Sequence, residues 1–527
     1  MVIEDGEPSA GKGVHQGSRS QHSARAVRPG AGYRPPIRTS VTAIGYLAAP
    51  PTVAAAVVLS LYIDSGSPLV GALRAIAVAL LLGTIIALVL LPFVGLRRTA
   101  LWGSLVVLAL AETIPPVLLA AAAGMWMGSL LLHPQRSPRV GRLLMVIEGT
   151  APVVAALLFA VVVGSGVVNG AIGWPADRSP STIEAEGGAG PDIFVILLDG
   201  YPRADTLRER FDFDESPFLD ALADRGFDVA GRSRSNYTET GHTLPSMLYM
   251  RHLYEIPAIE HGPNGSASGY RTLGEVLSAP LPAFELFRRH GYETITIPSV
   301  TDTYRIESAD RVIDTADPNA FELLVLSRIL LGPLIDWFAP ELLFDQLRGR
   351  SLAALEAVVQ LADEDGGPRL VFTHLMLPHA PFVFGPNGEQ IDPPDCFPSR
   401  YCTIYDAPSN HAEHLGRYRD QVQFVNERML EMIDAIRTSS TVPPVIVLLS
   451  DHGSRAFPED TDERFHNFFA SATPHHGGLF PDDITPVNLF PLLAGAYLEE
   501  QVALQPDLFF LSGNSREPLL REPVSDP

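Results

Sequence analysis

Residues 41 to about 173 are overwhelmingly Ala, Val, Leu, Ile and Gly, and a block this long and apolar reads as membrane-spanning helix. Val41 to Ile63 is a run of spanning length, and Pro68 to Leu96 is another. Trp102 to Leu132 is too long for one helix and contains Pro115-Pro116, so it reads as two short helices or a kinked hairpin. Met145 to Val168 is the last run. The first begins forty residues into the chain, which does not look like a cleaved signal peptide.

Charge orients these segments. The basic tail, the Arg97-Arg98 turn and the Arg136/Arg139/Arg142 loop belong in the cytoplasm under the positive-inside rule. The turns near Asp64 and Glu112 carry no basic residue and belong outside. Both conditions hold only if 102–132 crosses twice, giving about five spans and an external C-terminal domain. Arg74, Glu112 and Glu148 are the charges within the spanning runs, each near an expected helix end, and read as snorkelling or interfacial residues. A transporter is therefore not expected.

The rest of the chain divides by composition. Residues 1–40 hold Lys12, Arg19, Arg25, Arg28, Arg34 and Arg38 among Gly, Ser and Pro, and read as a disordered cytoplasmic tail. Residues 174–190 form a Gly-, Pro-, Ser- and acid-rich linker, 191–511 a soluble domain, and 512–527 a flexible tail. The net charge of −22 resides mostly in the C-terminal half and excludes a general nucleic-acid binder. Frequent Ala, Arg, Gly and Pro with rare Lys suggests a bacterial chain, which makes the membrane the inner one. Two cysteines, Cys396 and Cys402, sit in one Pro-rich stretch, and the external topology favours a local disulfide between them.

In the soluble domain, Ile193 to Leu198 is a continuous apolar run ending in Asp199-Gly200, and Val445 to Leu449 is another ending in Ser450-Asp451-His452-Gly453. Runs apolar on both faces suggest buried parallel strands, and 351–363 and 415–437 have helical spacing. The class is α/β with a central, mostly parallel sheet flanked by helices. Ligands bind such sheets beyond the carboxyl ends of the strands, where Asp199, Asp451 and His452 all sit. Two carboxylates and an imidazole converging there would suit Zn or Mn, with Mg or Ca as further candidates.

The segments Pro191 to Asp199 and Ser450 to Gly453 resemble the first and last metal-binding motifs of the alkaline phosphatase superfamily, in its sulfatase and phosphoethanolamine or phosphoglycerol transferase branch. Between them, Thr373 to Phe382 resembles that branch's substrate-binding His-x-Pro loop, centred on His379. The resemblance covers about residues 191–500 and implies an alkaline-phosphatase-like domain behind a multi-pass α-helical membrane region. It also implies a nucleophile in Ser235 to Met247, where Thr240 fits the spacing of membrane phosphoethanolamine transferases because Thr243, Leu244 and Pro245 follow it. Thr238 is the second choice.

The implied enzyme is a membrane-anchored phosphotransferase or phosphodiesterase for envelope lipid or glycan phosphoesters. Asp199, Thr240, Asp451 and His452 would hold one divalent metal, Thr240 would attack phosphorus, and His379 would contact the ester oxygens or protonate the leaving group. His374 would be supporting structure, and spacing singles out none of His242, His466, His475 and His476. A sulfatase or phosphatase on the same scaffold, or a non-catalytic module, are the alternatives. Cys396 to Arg400 imitates the formylglycine signature of sulfatases, but it follows His379 instead of the first metal strand.

Overall fold

The computed structural model describes residues 37–65, 69–110, 138–168, 190–260, 269–299, 304–315, 340–364, 366–393, 411–457, 459–512 and 523–525, with Glu322 and Val325. The first helix, Ile37–Ser65, opens the described part of the chain. Cys396 and Cys402 lie outside the described residues, as does Glu112.

Among the described residues, three helical segments are long and apolar enough to cross a membrane: Ala43–Tyr62, Ala72–Val94 and Met145–Ser165. A shorter helix, Leu96–Leu110, follows Leu69–Val94 after one non-helical residue, Gly95. Gly95 has φ +78°, a left-handed conformation that glycine adopts without Cβ strain. Arg97-Arg98, expected in a turn, therefore lie at the start of a helix, because a single glycine makes the break. Of the stretch 102–132, residues 102–110 belong to that helix and 111–132 lie outside the described residues. Glu148 is only 7% exposed and accepts a hydrogen bond from Arg98 Nε at 3.0 Å, so this charge is paired between helices. Gly83 and Gly103 allow close approach: a Cβ on Gly83 would stand 2.5 Å from Pro51 Cα, and one on Gly103 2.6 Å from Pro50 Cγ. Leu81, Leu88, Phe93 and Val161 face outwards and exposed, as lipid-facing side chains do.

The soluble domain is built on a seven-stranded sheet in the order β2-β7-β6-β1-β5-β3-β4. The strands are β1 (Ile193–Leu198), β2 (Asp228–Val229), β3 (Glu293–Ile297), β4 (Arg311–Val312), β5 (Arg369–Leu375), β6 (Val445–Ser450) and β7 (Phe469–Ala472). From β6 to β4 neighbours run parallel, while β7 pairs antiparallel with β6 and β2. Every side chain of β1 is buried, and alternate residues enter two different cores. Phe194, Ile196 and Leu198 meet the helices Pro340–Asp363 and His411–Ser439, which cover the segments with helical spacing. Ile193, Val195 and Leu197 meet the helices Thr240–Tyr249, Pro282–Arg289 and Leu489–Tyr497. At roughly 1.5–3 kcal/mol for each fully buried large apolar side chain, β1 anchors both layers. Its register sets Leu198 beside Leu375 on one flank and Ser450 on the other, so three parallel strands end level.

Candidate metal centre

That level ending is what assembles the site. Asp199 is the first residue after β1 and Asp451 the first after β6, so two carboxylates leave neighbouring strands together. Gly200 turns the chain at φ +68° and donates its N–H to Asp451 Oδ1 at 3.0 Å. The His452 N–H reaches the same oxygen at 3.1 Å. Asp451 Oδ1 is thereby occupied, while Asp451 Oδ2 is buried without a hydrogen-bond partner, and so is Asp199 Oδ1. Asp199 Oδ2 lies 3.2 Å from His374 Nε2 on β5.

Both free oxygens face His452 Nε2, Asp451 Oδ2 at 3.4 Å and Asp199 Oδ1 at 3.6 Å. The other ring nitrogen, Nδ1, donates to Gly453 O at 2.7 Å, which leaves a lone pair on Nε2. Thr240 Oγ1 stands 3.3 Å from the same nitrogen. Carboxylate oxygens and an imidazole lone pair crowd one point, an arrangement that repels itself unless a cation joins it. The spacing fits one: tetrahedral ligands about 2.0–2.2 Å from an ion stand roughly 3.3–3.6 Å apart. Among the described residues, Asp199, Asp451 and His452 form the one such group of three or more His, Cys, Asp or Glu. Burial raises the pKa of Asp199, but His379, His374 and His452 outweigh it and hold the carboxyl well below its usual range.

Thr240 opens the helix Thr240–Tyr249; the His242 and Thr243 N–H groups both donate to Glu239 O at 3.0 Å, so only the first two N–H groups, those of Thr240 and Gly241, are placed to meet an anion. Two hydroxyls pin this helix to the strand end: Thr243 Oγ1 donates to Asp451 O at 3.0 Å, and Ser235 Oγ donates to the same carbonyl. A Cβ on Gly241 would stand 2.7 Å from the Tyr304 ring, so glycine permits the approach. Glu239, just before Thr240, is held by Arg455 at 2.9 Å. Thr238 has a different use, its Oγ1 accepting from the Ser512 N–H at 3.1 Å.

His379 follows β5, and its N–H donates to Asp199 O at 3.1 Å. Its ring Nδ1 donates to Ala380 O at 2.6 Å, and its Cδ2 and His452 Cε1 lie 3.7 and 3.5 Å from where a Gly200 Cβ would stand. Gln421 Nε2 holds the carbonyls of Pro378 and His379, each at 3.1 Å. The remaining histidines lie elsewhere: His466 Nδ1 meets Thr206 Oγ1 at 3.3 Å, His242 stacks on Tyr237, and His476 packs edge-on to Tyr497. Sequence reasoning missed Ser235, Glu239, Gln421 and Arg455, which act through carbonyls or partners far along the chain and leave no local pattern.

No protein-family model matches the chain, and no curated protein matches it significantly. Solved structures do. The C-terminal periplasmic domain of EcEptC from Escherichia coli, in complex with Zn, is 14% identical, with a TM-score of 0.40 over 59% of this chain and 84% of that one. The soluble domain of lipooligosaccharide phosphoethanolamine transferase A from Neisseria meningitidis is 14% identical, with a TM-score of 0.37 over 58% and 88%. The lipoteichoic acid synthase LtaP from Listeria monocytogenes is 14% identical, with a TM-score of 0.36 over 61% and 76%.

Proposed function

We propose that this chain is a membrane-anchored, metal-dependent phosphotransferase or phosphodiesterase that acts through Thr240 on envelope lipid or glycan phosphoesters. The observation that carries it is the meeting of Asp199 Oδ1, Asp451 Oδ2 and Thr240 Oγ1 around His452 Nε2, with both carboxylate oxygens buried and unpartnered. Asp199, Asp451, His452 and Thr240 would hold one divalent ion, Zn or Mn by donor type. Such an ion would favour the Thr240 alkoxide and polarise the ester oxygen. Thr240 Oγ1 then forms the bond to phosphorus, the ester P–O bond opens, and His379 supplies the proton to the leaving oxygen. Water or an acceptor hydroxyl takes the group from Thr240 in the second half. The N-terminal turn of Thr240–Tyr249 offers N–H groups to the non-bridging oxygens. The apolar helices and the basic cytoplasmic segments support a bacterial inner-membrane protein with its catalytic domain outside the cytoplasm.

The test uses the full chain in detergent, with metal content and intact mass measured after exposure to phosphatidylethanolamine, phosphatidylglycerol or a simple aryl phosphodiester. About one metal per chain and an adduct at Thr240 are expected, with turnover in Thr240→Ala lower by at least about a thousandfold. Absence of metal, or a Thr240→Ala variant as active as wild type, would sink the assignment.

A further inference from the structure

A C-terminal segment, residues 508–512, runs beside the chain just ahead of Thr240. Phe510 and Tyr237 form a parallel bridge, and the Phe510 N–H donates to Asn236 O at 2.8 Å. Asn236 Nδ2 donates to Leu508 O at 3.1 Å, and the Ser512 N–H donates to Thr238 Oγ1 at 3.1 Å. This strap thus engages alternate residues, Asn236 and Thr238. Thr240 is the next of that alternation, and there the helix Thr240–Tyr249 begins.

Burial makes the grip firm. Phe510 is fully buried and its ring stacks on Tyr237, with centroids 5.1 Å apart and planes 12° from parallel. Phe509, also buried, packs edge-on to Phe465 at 6.0 Å. Asn236, Thr238 and Ser512 are buried too, so water does not compete for their hydrogen bonds. Asn236 is fastened from a further direction, its Oδ1 accepting from the Val487 N–H at 3.0 Å. Among the described residues, the strap's hydrogen bonds to this segment stop at Thr238. Its influence on Thr240 is therefore one of position, exerted from 274 residues along the chain at the Thr238–Ser512 bond.

We propose that residues 508–512 are a positioning strap for the nucleophile. By fixing Asn236 and Thr238 they set the point at which the helix starts, and with it the place of Thr240 Oγ1 beside His452 Nε2 at 3.3 Å. Thr238 is on this account a positioning residue. The proposal rests on the reading of Thr240 as the attacking group. It complements the ties from Thr243 and Ser235 to Asp451 O, which hold the helix to β6, because the strap holds the residues that lead into the helix. Loosening the strap displaces the attacking atom and slows the reaction, while Asp199, Asp451 and His452 stay on the ends of β1 and β6 and keep the ion.

Two readouts on the full chain in detergent test it: hydrogen exchange by mass spectrometry, which needs no chemistry, and turnover of a simple aryl phosphodiester alongside metal content. Thr238→Val removes the acceptor at nearly constant shape. Exchange in peptides covering 240–249 is expected to quicken roughly 2–10-fold, the scale of one hydrogen bond, with peptides covering β1 at the wild-type rate. The kcat falls roughly 10–100-fold, with KM within about twofold and metal content unchanged. Thr238→Ser keeps the acceptor and recovers most of the loss, which guards against a folding defect in Thr238→Val. Phe510→Leu, a change in the strap alone, reproduces the pattern. Wild-type exchange and kcat in both Thr238→Val and Phe510→Leu overturn the strap, and so does a loss of metal in step with activity. A thousandfold loss in Thr238→Val with no adduct at Thr240 also overturns it, by making Thr238 the nucleophile. If exchange responds as expected but Thr240→Ala turns over like wild type, the failure lies with the nucleophile assignment and not with the strap's grip on the helix.

Discussion

At the scale of single residues, the two oxygens of Asp451 have different work. Oδ1 accepts two backbone N–H groups and shapes the turn, while Oδ2 is directed at the candidate ion. Asp451→Asn can keep the turn and remove the charged donor. Its metal affinity is expected to fall by more than the roughly 10–100-fold typical of outer-shell changes, with circular dichroism unchanged. Retention of metal at wild-type affinity would remove Asp451 from the ligand set. A second buried acid behaves oppositely. Tyr201 has one hydroxyl hydrogen and two oxygen neighbours, Glu215 Oε1 and, at 2.6 Å, Asn426 Oδ1. A protonated Glu215 resolves this by donating to Tyr201, which donates to Asn426. Burial pushes the Glu215 pKa up to about 8 despite those partners. An acid whose pKa is raised on folding is most favourable below its unfolded value, near 4.5, and costs stability as pH climbs towards 8. Glu215→Gln, locked neutral, should therefore melt above wild type at pH 8.5, with the gap closing by pH 5. A gap independent of pH would show that Glu215 is ionised throughout.

At the scale of elements, Thr240, the proposed nucleophile, sits at the start of a helix that is tied to a strand end. Thr243 and Ser235 both donate to Asp451 O, so the start of Thr240–Tyr249 moves with β6. Thr243→Val removes one tie at nearly constant shape, costing about 0.5–1.5 kcal/mol because Ser235 still donates to the carbonyl. Activity is expected to fall roughly 10–100-fold with metal content intact, because a small misplacement of an attacking atom is enough. A parallel loss of metal would mean that the helix shapes the ligand cage itself. The strands that carry the acids were readable from sequence because β1 and β6 are unbroken apolar runs, with chemistry confined to their ends. β5 was not read as a strand, since its seven buried residues include Arg369, Thr373 and His374. The structure satisfies Arg369 with Asp192, at 3.1 Å, and His374 with Asp199. The edge strands Asp228–Val229 and Arg311–Val312 are two residues each, too short for any period to show.

At the scale of the whole molecule, every reading of the substrate depends on which side of the membrane the sheet lies. Arg97 and Arg98 begin one helix, and Arg98 is bonded to Glu148 near the start of the apolar span Met145–Ser165, so charges cluster at one end of both apolar segments. Under the positive-inside rule that end is cytoplasmic, together with the basic tail, and an odd number of crossings then leaves the catalytic domain outside. Single cysteines at Ser20→Cys and Val442→Cys, the second an exposed position in the soluble domain, report this when Cys396 and Cys402 are both replaced by Ser. A membrane-impermeant maleimide should label Val442→Cys on intact cells and Ser20→Cys only after permeabilisation. The native chain offers a matched reading, since an external Cys396–Cys402 disulfide would resist the reagent until reduced and then accept two labels. Labelling of Val442→Cys only in broken cells would place the catalytic domain in the cytoplasm. The proposed access to envelope phosphoesters would then fail, even if metal and Thr240 behave as expected.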